Sequence, residues 1–463
     1  MSADKIIVLL FAGLYFLFII YSRRKTSFAE YAVANKSLGS ALIFATLAAT
    51  MIGPAYTMGI VKEGYSAGIY YYLSIMWVGV NYLVMAIFFA KQVYRKFPDA
   101  LSAGDLIAGS NTHNSKVVKV TIGILVFAQL VFISIFVTSA GGILVSNIFG
   151  WDQSISVTVI VLIITAYSYF GGIRATIQTD AFQLAHFVVL IPLLILIMVF
   201  SKDFSISEYL VSTKEKFSVE VSDFQLGNYL EHALTWLLLG MMHPTTVNRI
   251  LASNSAFSAK KAMIWTSIFM FTWMFIMVIV GDLGNFLYPG LEESDEILLL
   301  LGNNLYHRIL HGIFAVAMIG VIMSTQDSIL NGASIVFSVD ILSVIRKTIS
   351  NKRRLNYSKR SILIIGIISI FASQYVDSLT DAFIYLTAIF IPTYLPVVVF
   401  SVYVRNPRWQ AAMASILVGI LSSILWTFYG TETGFPTLLF GLVCSSSTYL
   451  LVHYLLKRKK III

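Results

Sequence analysis

Ala48-Ala49-Thr50-Met51-Ile52-Gly53-Pro54-Ala55-Tyr56 lies in the middle of an apolar stretch that runs from residue 39 to residue 61. A run of that length reads as a membrane-spanning helix. Gly53-Pro54 should break it, because proline lacks an amide donor and its ring clashes with the preceding turn. Further along, Leu239-Gly240-Met241-Met242-His243-Pro244-Thr245-Thr246 places a second Gly and Pro inside the run 227–250. Irregular backbone at membrane depth is tolerated where it is buried in protein or lines a cavity. Interrupted spans at corresponding positions of two halves point to the binding site of a secondary transporter. Isolated Gly and Pro also kink ordinary membrane helices, so the pairing of the two breaks carries more weight than either alone.

Composition puts both breaks in a bilayer. Of 463 residues, 58% are hydrophobic and 12% charged, with a mean hydropathy of +0.82. Soluble domains carry about 25% charged residues, so this chain lacks the polar surface of a water-soluble globule. Disorder, a disulfide-stapled secreted scaffold and a cytosolic enzyme are excluded together. Cys444 is the single cysteine and forms no internal disulfide. Runs of about 20 apolar residues predict an all-α integral membrane protein with thirteen spans. These are α1 4–22, α2 39–61, α3 67–92, α4 117–148, α5 154–170, α6 176–200 and α7 227–250. The rest are α8 260–288, α9 308–345, α10 361–376, α11 381–404, α12 409–429 and α13 434–456. The first run is read as a span and not a signal peptide, since Arg23-Arg24-Lys25 follows it with no small-x-small cleavage site.

Thirteen spans put the termini on opposite faces. Lys and Arg number 32, and all but six fall in the loops and helix ends after α1, α3, α5, α7, α9, α11 and α13. The six are Lys5, Lys62, Lys202, Lys214, Lys216 and Arg308. The positive-inside rule then predicts an N-terminus outside and a cytoplasmic C-terminus in the inner or plasma membrane. The acidic run Glu292-Glu293-Ser294-Asp295-Glu296 falls outside. The net charge of +9 is thus a matter of topology: the bilayer is an expected partner and nucleic acid is not. The two breaks are five spans apart, so a five-helix repeat would be inserted twice with opposite topology. This divides the chain into 1–38 (α1 and a cytoplasmic loop), 39–200 (first repeat, α2–α6) and 201–226 (an extracellular loop). The remainder is 227–404 (second repeat, α7–α11) and 405–463 (peripheral α12 and α13 with a basic tail).

Most carboxylates sit in loops or near helix ends, but Asp180 and Asp327 stand among polar, motif-like neighbours. A charge at mid-membrane costs at least about 2.5 kcal/mol and needs a partner. In Val321-Ile322-Met323-Ser324-Thr325-Gln326-Asp327-Ser328, positions 321, 324, 325 and 328 share one helix face. That face offers hydroxyls and carbonyls, the oxygen donors that small hard cations prefer. The same stripe of small polar residues is also an ordinary helix-packing surface, and Asp180 has Arg174 as a local ion-pair alternative.

These segments resemble the sodium:solute symporter family. The resemblance is carried by Met323-Ser324-Thr325-Gln326-Asp327-Ser328-x-x-Asn331-x-x-Ser334 leading to Asp340. It is carried also by Tyr169-Phe170-Gly171-Gly172-Ile173-Arg174-Ala175-x-x-x-Thr179-Asp180-x-x-Gln183. Glu30-Tyr31-x-x-Ala34-x-Lys36-Ser37-Leu38-Gly39 and, more weakly, Asn248-Arg249 add to it. It covers α1 to about α11; α12 and α13 match in hydropathy alone. The resemblance implies a LeuT-like 5+5 inverted-repeat fold and sodium-coupled uptake of a small organic solute by alternating access. It implies a sodium site between α2 and α9, with carbonyls from Ala49, Ile52 and Val321 and hydroxyls from Ser324 and Thr325. A second sodium, held by some relatives, would by position use Ser324, Asp327, Ser328 and Asp180. Asp327 stands where such a site uses a hydroxyl, so Asp180, Asp327 and Ser328 are a candidate second cation or proton site. Sodium is the coupling ion implied, with no other metal and no cofactor.

Departures from the family pattern bear on the solute. Met51 and Gly53 stand where members often carry a polar side chain, and Leu239 replaces a gating tyrosine of the sugar-type members. A sugar is therefore not the expected solute. Phe88-Phe89-Ala90-Lys91 and Leu237-Leu238-Leu239-Gly240 bear some likeness to the choline-type branch, whose quaternary ammonium would want an aromatic cage. The candidate cavity residues are Met51, Gly53, Tyr56, Trp77, Phe132, Trp236 and His243, with Tyr70, Tyr71 and Tyr72 as further aromatics. Two rival readings keep the scaffold: a proton-coupled symporter using Asp180 or Asp327, and a sensor that binds solute without moving it. No enzyme motif is present. The solute's identity, the ion count and the oligomeric state are not fixed by the sequence.

Overall fold

The computed structural model describes all residues except 1, 23–26, 111–115, 172, 223–225, 242, 292–295, 347–348, 377–378, 431–432, 434 and 460–463. The acidic run 292–295 and the end of the basic tail therefore lie outside the described residues. The Arg174 side chain does too. Helices occupy the predicted places: α1 Ala3–Ser22, α4 Lys116–Phe149, α5 Gln153–Gly171, α6 Ile173–Val199 and α8 Ala256–Leu287. They continue with α9 Arg308–Val336, α10 Asn351–Ala372, α11 Leu379–Tyr403, α12 Trp409–Tyr429 and α13 Thr437–Lys459. Among the described residues, ten helices are long and apolar enough to cross a membrane.

Both spans that carry the Gly and Pro breaks are interrupted, whereas α6 and α11 run unbroken through Pro192 and through Pro392 and Pro396. The first arm of α2 runs Ser40–Met51, a 3₁₀ turn covers Pro54–Tyr56, and the second arm runs Met58–Ala67. The arms of α7 are Leu226–Leu239 and Pro244–Ala252. At 1.5 Å per residue neither arm of α7 crosses a bilayer alone. Gly68, with φ of +74°, turns the chain from α2 into α3, which fills 68–96 and carries a π turn at Met85–Phe89.

The structure adds helix where the sequence suggested loop. The segment 201–226 is largely the helix Ile206–Ser222, held to α8 by the Tyr209 hydroxyl, which donates to Asp282 Oδ2 at 2.6 Å. Residues Ala103–Ser110 and Ile297–Leu305 are also helical. α10 begins ten residues before its apolar run, capped by Ser350, whose hydroxyl accepts from the Arg353 amide. Its basic residues are thus on the helix and not before it.

α9 is the most enclosed of the long helices, with 72% of its apolar window buried, and it packs against α1, α4, α5, α6 and α10. The first arm of α2 lies against α6, α8 and α9. Its second arm crosses α8 at very short range: a Cβ on Gly64 would stand 2.5 Å from the Val278 carbonyl oxygen, the small-residue crossing of membrane helices. α12 and α13 pack on each other and on α11, at the edge. On the face that carries the basic loops, the entry to α2 is tied to the exit of α7. The Leu38 amide donates to Ala252 O at 3.2 Å and the Asn254 amide to Leu38 O at 2.8 Å, a one-rung parallel bridge between Leu38 and Ser253.

Candidate functional site

Proline chemistry opens the site. In an unbroken helix the Thr50 carbonyl would accept from the amide of residue 54, and Pro54 has none. The Thr325 hydroxyl of α9 takes that carbonyl instead, at 3.2 Å. One residue earlier, Ser324 Oγ lies 3.1 Å from Ala49 O and 3.0 Å from Val321 O. The Tyr56 amide bonds Gly53 O at 2.9 Å and so does not serve the Ile52 carbonyl, at the first position past the helix. Four of the five predicted sodium ligands, Ala49, Val321, Ser324 and Thr325, are thus brought together where α2 breaks against α9. Ile52 is buried beside them at the end of the arm. The close approach requires glycine: a Cβ on Gly53 would stand 2.5 Å from Thr325 Oγ1.

The break in α7 is built the same way. Its unwound turn closes through Met241 N to Leu238 O at 3.0 Å and His243 N to Gly240 O at 3.2 Å. This leaves the Leu237 carbonyl without its helical amide, and the Asn81 side-chain amide of α3 donates to it. Asn81 is fully buried. Sequence reasoning missed it, because a lone Asn in an apolar run carries no sign of which carbonyl it serves.

A cavity of about 50 Å³ lies between the two breaks. Met51, Gly53, Tyr56 and His243 line it, as expected from sequence, with Thr325 and Leu239. Trp236 stands behind Tyr56, ring centroids 5.3 Å apart. Two expectations are corrected. Phe132 is 53% exposed on the outer flank of α4, against Phe390, and it is Ile133, Phe136 and Val137 of that helix that wall the cavity. Trp77 also stands outside it, its indole donating to the Tyr229 hydroxyl at 3.2 Å. Tyr70 and Tyr72 brace backbone carbonyls at Thr213 and Phe271, and Tyr71 packs edge-on to His232. His243 Nδ1 is 2.8 Å from Thr245 Oγ1.

Asp180, Asp327 and Ser328 come together around a residue that the charge count had placed at a helix end on the basic face. Arg249, 2% exposed, reaches inward from the second arm of α7. Its Nη2 donates to Ser328 Oγ at 2.7 Å and to Thr46 Oγ1 and Thr50 Oγ1 at 3.3 Å each. Nη1 reaches Thr245 O at 3.4 Å. The Thr46 hydroxyl in turn donates to Asp180 Oδ2 at 2.5 Å, and Thr50 Oγ1 is 3.0 Å from Ser328 Oγ. Both aspartates are fully buried electrostatic neighbours of the guanidinium. Asp327 makes no hydrogen bond of good geometry; the hydroxyls of Tyr167 and Thr176 are beside it.

The model of the sodium:solute symporter family matches residues 31–419. The high-affinity proline transporter PutP of Bacillus subtilis is 23% identical over 88% of this chain and 88% of its own length. Sodium/proline symporter 2 of Staphylococcus saprophyticus is 24% identical over 94% of this chain and 87% of its own. Among solved structures, a Na⁺-coupled sialic acid symporter in a substrate-bound outward-open state superposes with a TM-score of 0.81. It is 19% identical and covers 97% of this chain and 96% of that one. The inward-facing conformation of Mhp1 gives 0.55 at 12% identity, over 93% of each chain. The fold is therefore LeuT-like, as the family resemblance implied.

Proposed function

Since the chain belongs to the sodium:solute symporter family, and so couples sodium to the movement of a small solute across a membrane, we propose that its coupling ion binds where broken α2 meets α9. The ligands are the carbonyls of Ala49, Ile52 and Val321 and the hydroxyls of Ser324 and Thr325. The single observation that supports this best is Ser324 Oγ standing 3.1 and 3.0 Å from two carbonyl oxygens on different helices. Oxygen donors from two segments suit a hard cation. An ion there bonds α2 to α9 and so favours the state that joins them; the coupling to solute is that difference in affinity between states, and it is reciprocal.

The solute occupies the cavity between the breaks. Its apolar wall of Ile133, Phe136 and Val137 and its size of about 50 Å³ favour a compact body with its polar groups turned to the unwound backbone. A polyhydroxylated sugar would bury hydroxyls against that wall at about 1–3 kcal/mol for each one left unbonded. The solute class is a small amino or imino acid, of which proline, carried by the named relatives, is the first to try. The N-terminus lies outside and the basic loops in the cytoplasm, so the membrane potential adds about 2.3 kcal/mol per sodium charge per 100 mV to uptake. Residues 39–200 and 227–404 act as the two inverted repeats.

The test is the melting of purified protein in NaCl against KCl at equal ionic strength. Above saturation each tenfold rise in sodium should add about 1.4 kcal/mol of stability, and Ser324→Ala should abolish the effect. Equal midpoints in the two salts would sink the assignment. A second reading, proton coupling, is favoured by one observation: two buried carboxylates face one guanidinium. Uptake driven by a pH gradient without sodium, lost in Asp327→Asn, would establish it.

A further inference from the structure

The family resemblance placed a second cation at Asp180, Asp327 and Ser328, and a charge that belongs to the chain already bonds Ser328 and stands beside both aspartates. We propose that Arg249 is a tethered cation occupying the second ion position, so that this transporter binds one sodium per chain. The inference rests on the α2/α9 sodium site proposed above.

Three hydroxyls, from Thr46, Thr50 and Ser328, converge on one nitrogen, Arg249 Nη2, at 2.7 to 3.3 Å. They come from two helices, α2 and α9, while the guanidinium arrives from a third, α7. A hydroxyl accepting from a guanidinium turns one of its two lone pairs to that group, which leaves less of the oxygen for a metal ion and sets a positive charge beside it. Charge points the same way. Thr46 passes its proton side to Asp180 and its lone pair to Arg249, so one carboxylate and the guanidinium compensate each other through a shared hydroxyl. A sodium placed among the same oxygens would meet a buried like charge within a few ångströms, in a setting where that repulsion is little screened. Arginine stays charged under all ordinary conditions, so the position cannot be vacated by titration. Sodium at the α2/α9 site is separate: Ser324 and Thr325 make none of the hydrogen bonds to Arg249.

Removing the guanidinium should reverse the situation. Arg249→Gln leaves three hydroxyls facing two carboxylates, Asp180 and Asp327, a donor set with excess negative charge that suits a hard cation.

The experiment is equilibrium binding of radiolabelled sodium to the purified full-length protein, without solute, read as ions per chain and Hill coefficient. Wild type should bind one sodium with a Hill coefficient of 1. Arg249→Gln should bind two. Two ions on wild type would overturn the proposal while leaving the α2/α9 site standing. One ion on a folded Arg249→Gln would overturn it too. No ion on wild type would remove the reading on which it rests, a result told apart by its loss of the salt-dependent melting shift. Should Arg249→Gln fail to fold, Arg249→Lys keeps a cation in place and must still bind one sodium, within about threefold of wild-type affinity; two ions on it would count against the proposal.

Discussion

The Thr325 hydroxyl bonds the Thr50 carbonyl at 3.2 Å, and it does so because Pro54 has deprived that carbonyl of an amide. A side chain on one helix thus completes the hydrogen bonding of a break in another. The same device recurs at α7, where Asn81 serves the Leu237 carbonyl. A buried carbonyl without a donor costs about 1–3 kcal/mol, so these two side chains decide whether the breaks are stable.

Thr325→Val keeps the shape and removes the donor. It should lower stability by about 1–3 kcal/mol and weaken sodium binding, while Thr325→Ser restores both. Melting midpoints of the three proteins in sodium check this; equal midpoints for Val and Ser would refute it.

Gly53→Ala sets a methyl 2.5 Å from Thr325 Oγ1. The expected cost is about 1–3 kcal/mol, as for other overpacked cores. Thr325→Ala removes the obstacle, so the double variant should be more stable than the sum of the two single changes predicts. A double-mutant cycle measures that coupling, and strict additivity would show that the methyl is accommodated elsewhere.

Asn81→Leu leaves the Leu237 carbonyl unserved in a buried setting. Stability should fall by about 1–3 kcal/mol. Solute affinity should fall more than sodium affinity, because Gly240 and Leu239 of that break line the cavity, whereas the proposed sodium ligands stand at the other break. Ligand-induced melting shifts, taken with sodium alone and then with L-proline added, separate the two effects.

His243 lines the cavity with Nδ1 engaged by Thr245 at 2.8 Å, which leaves Nε2 as the ring nitrogen available to a solute. His243→Ala should raise the KM for solute about tenfold and leave the sodium-induced melting shift intact. Loss of both together would mean that the ring supports the break and does not read the solute.

The breaks themselves were legible because glycine stands beside or near a proline that lacks an amide; proline alone does not break a span, since α6 and α11 continue through Pro192, Pro392 and Pro396. The face formed by Val321, Ser324, Thr325 and Ser328 was legible for a similar reason, since helical periodicity fixes it. Arg249 was not. Basic residues near span ends normally face water, and only the direction taken by the short arm Pro244–Ala252, wholly buried, carries this one inward. Phe132 failed differently: its aromatic ring said nothing about which flank of α4 it occupies, and the cavity took Ile133, Phe136 and Val137 instead. The helix Ile206–Ser222 is polar enough to read as loop, and its contact with Asp282 is tertiary information.

The single rung between Leu38 and Ser253 has a mechanical meaning. It fastens the foot of one broken helix to the foot of the other, so the two stand on a common base at the face with the basic loops. Tilting either one pulls on its partner through two short backbone bonds before any side chain has to repack. An opening on that face would therefore have to carry the feet of both broken helices together, or first part these two bonds.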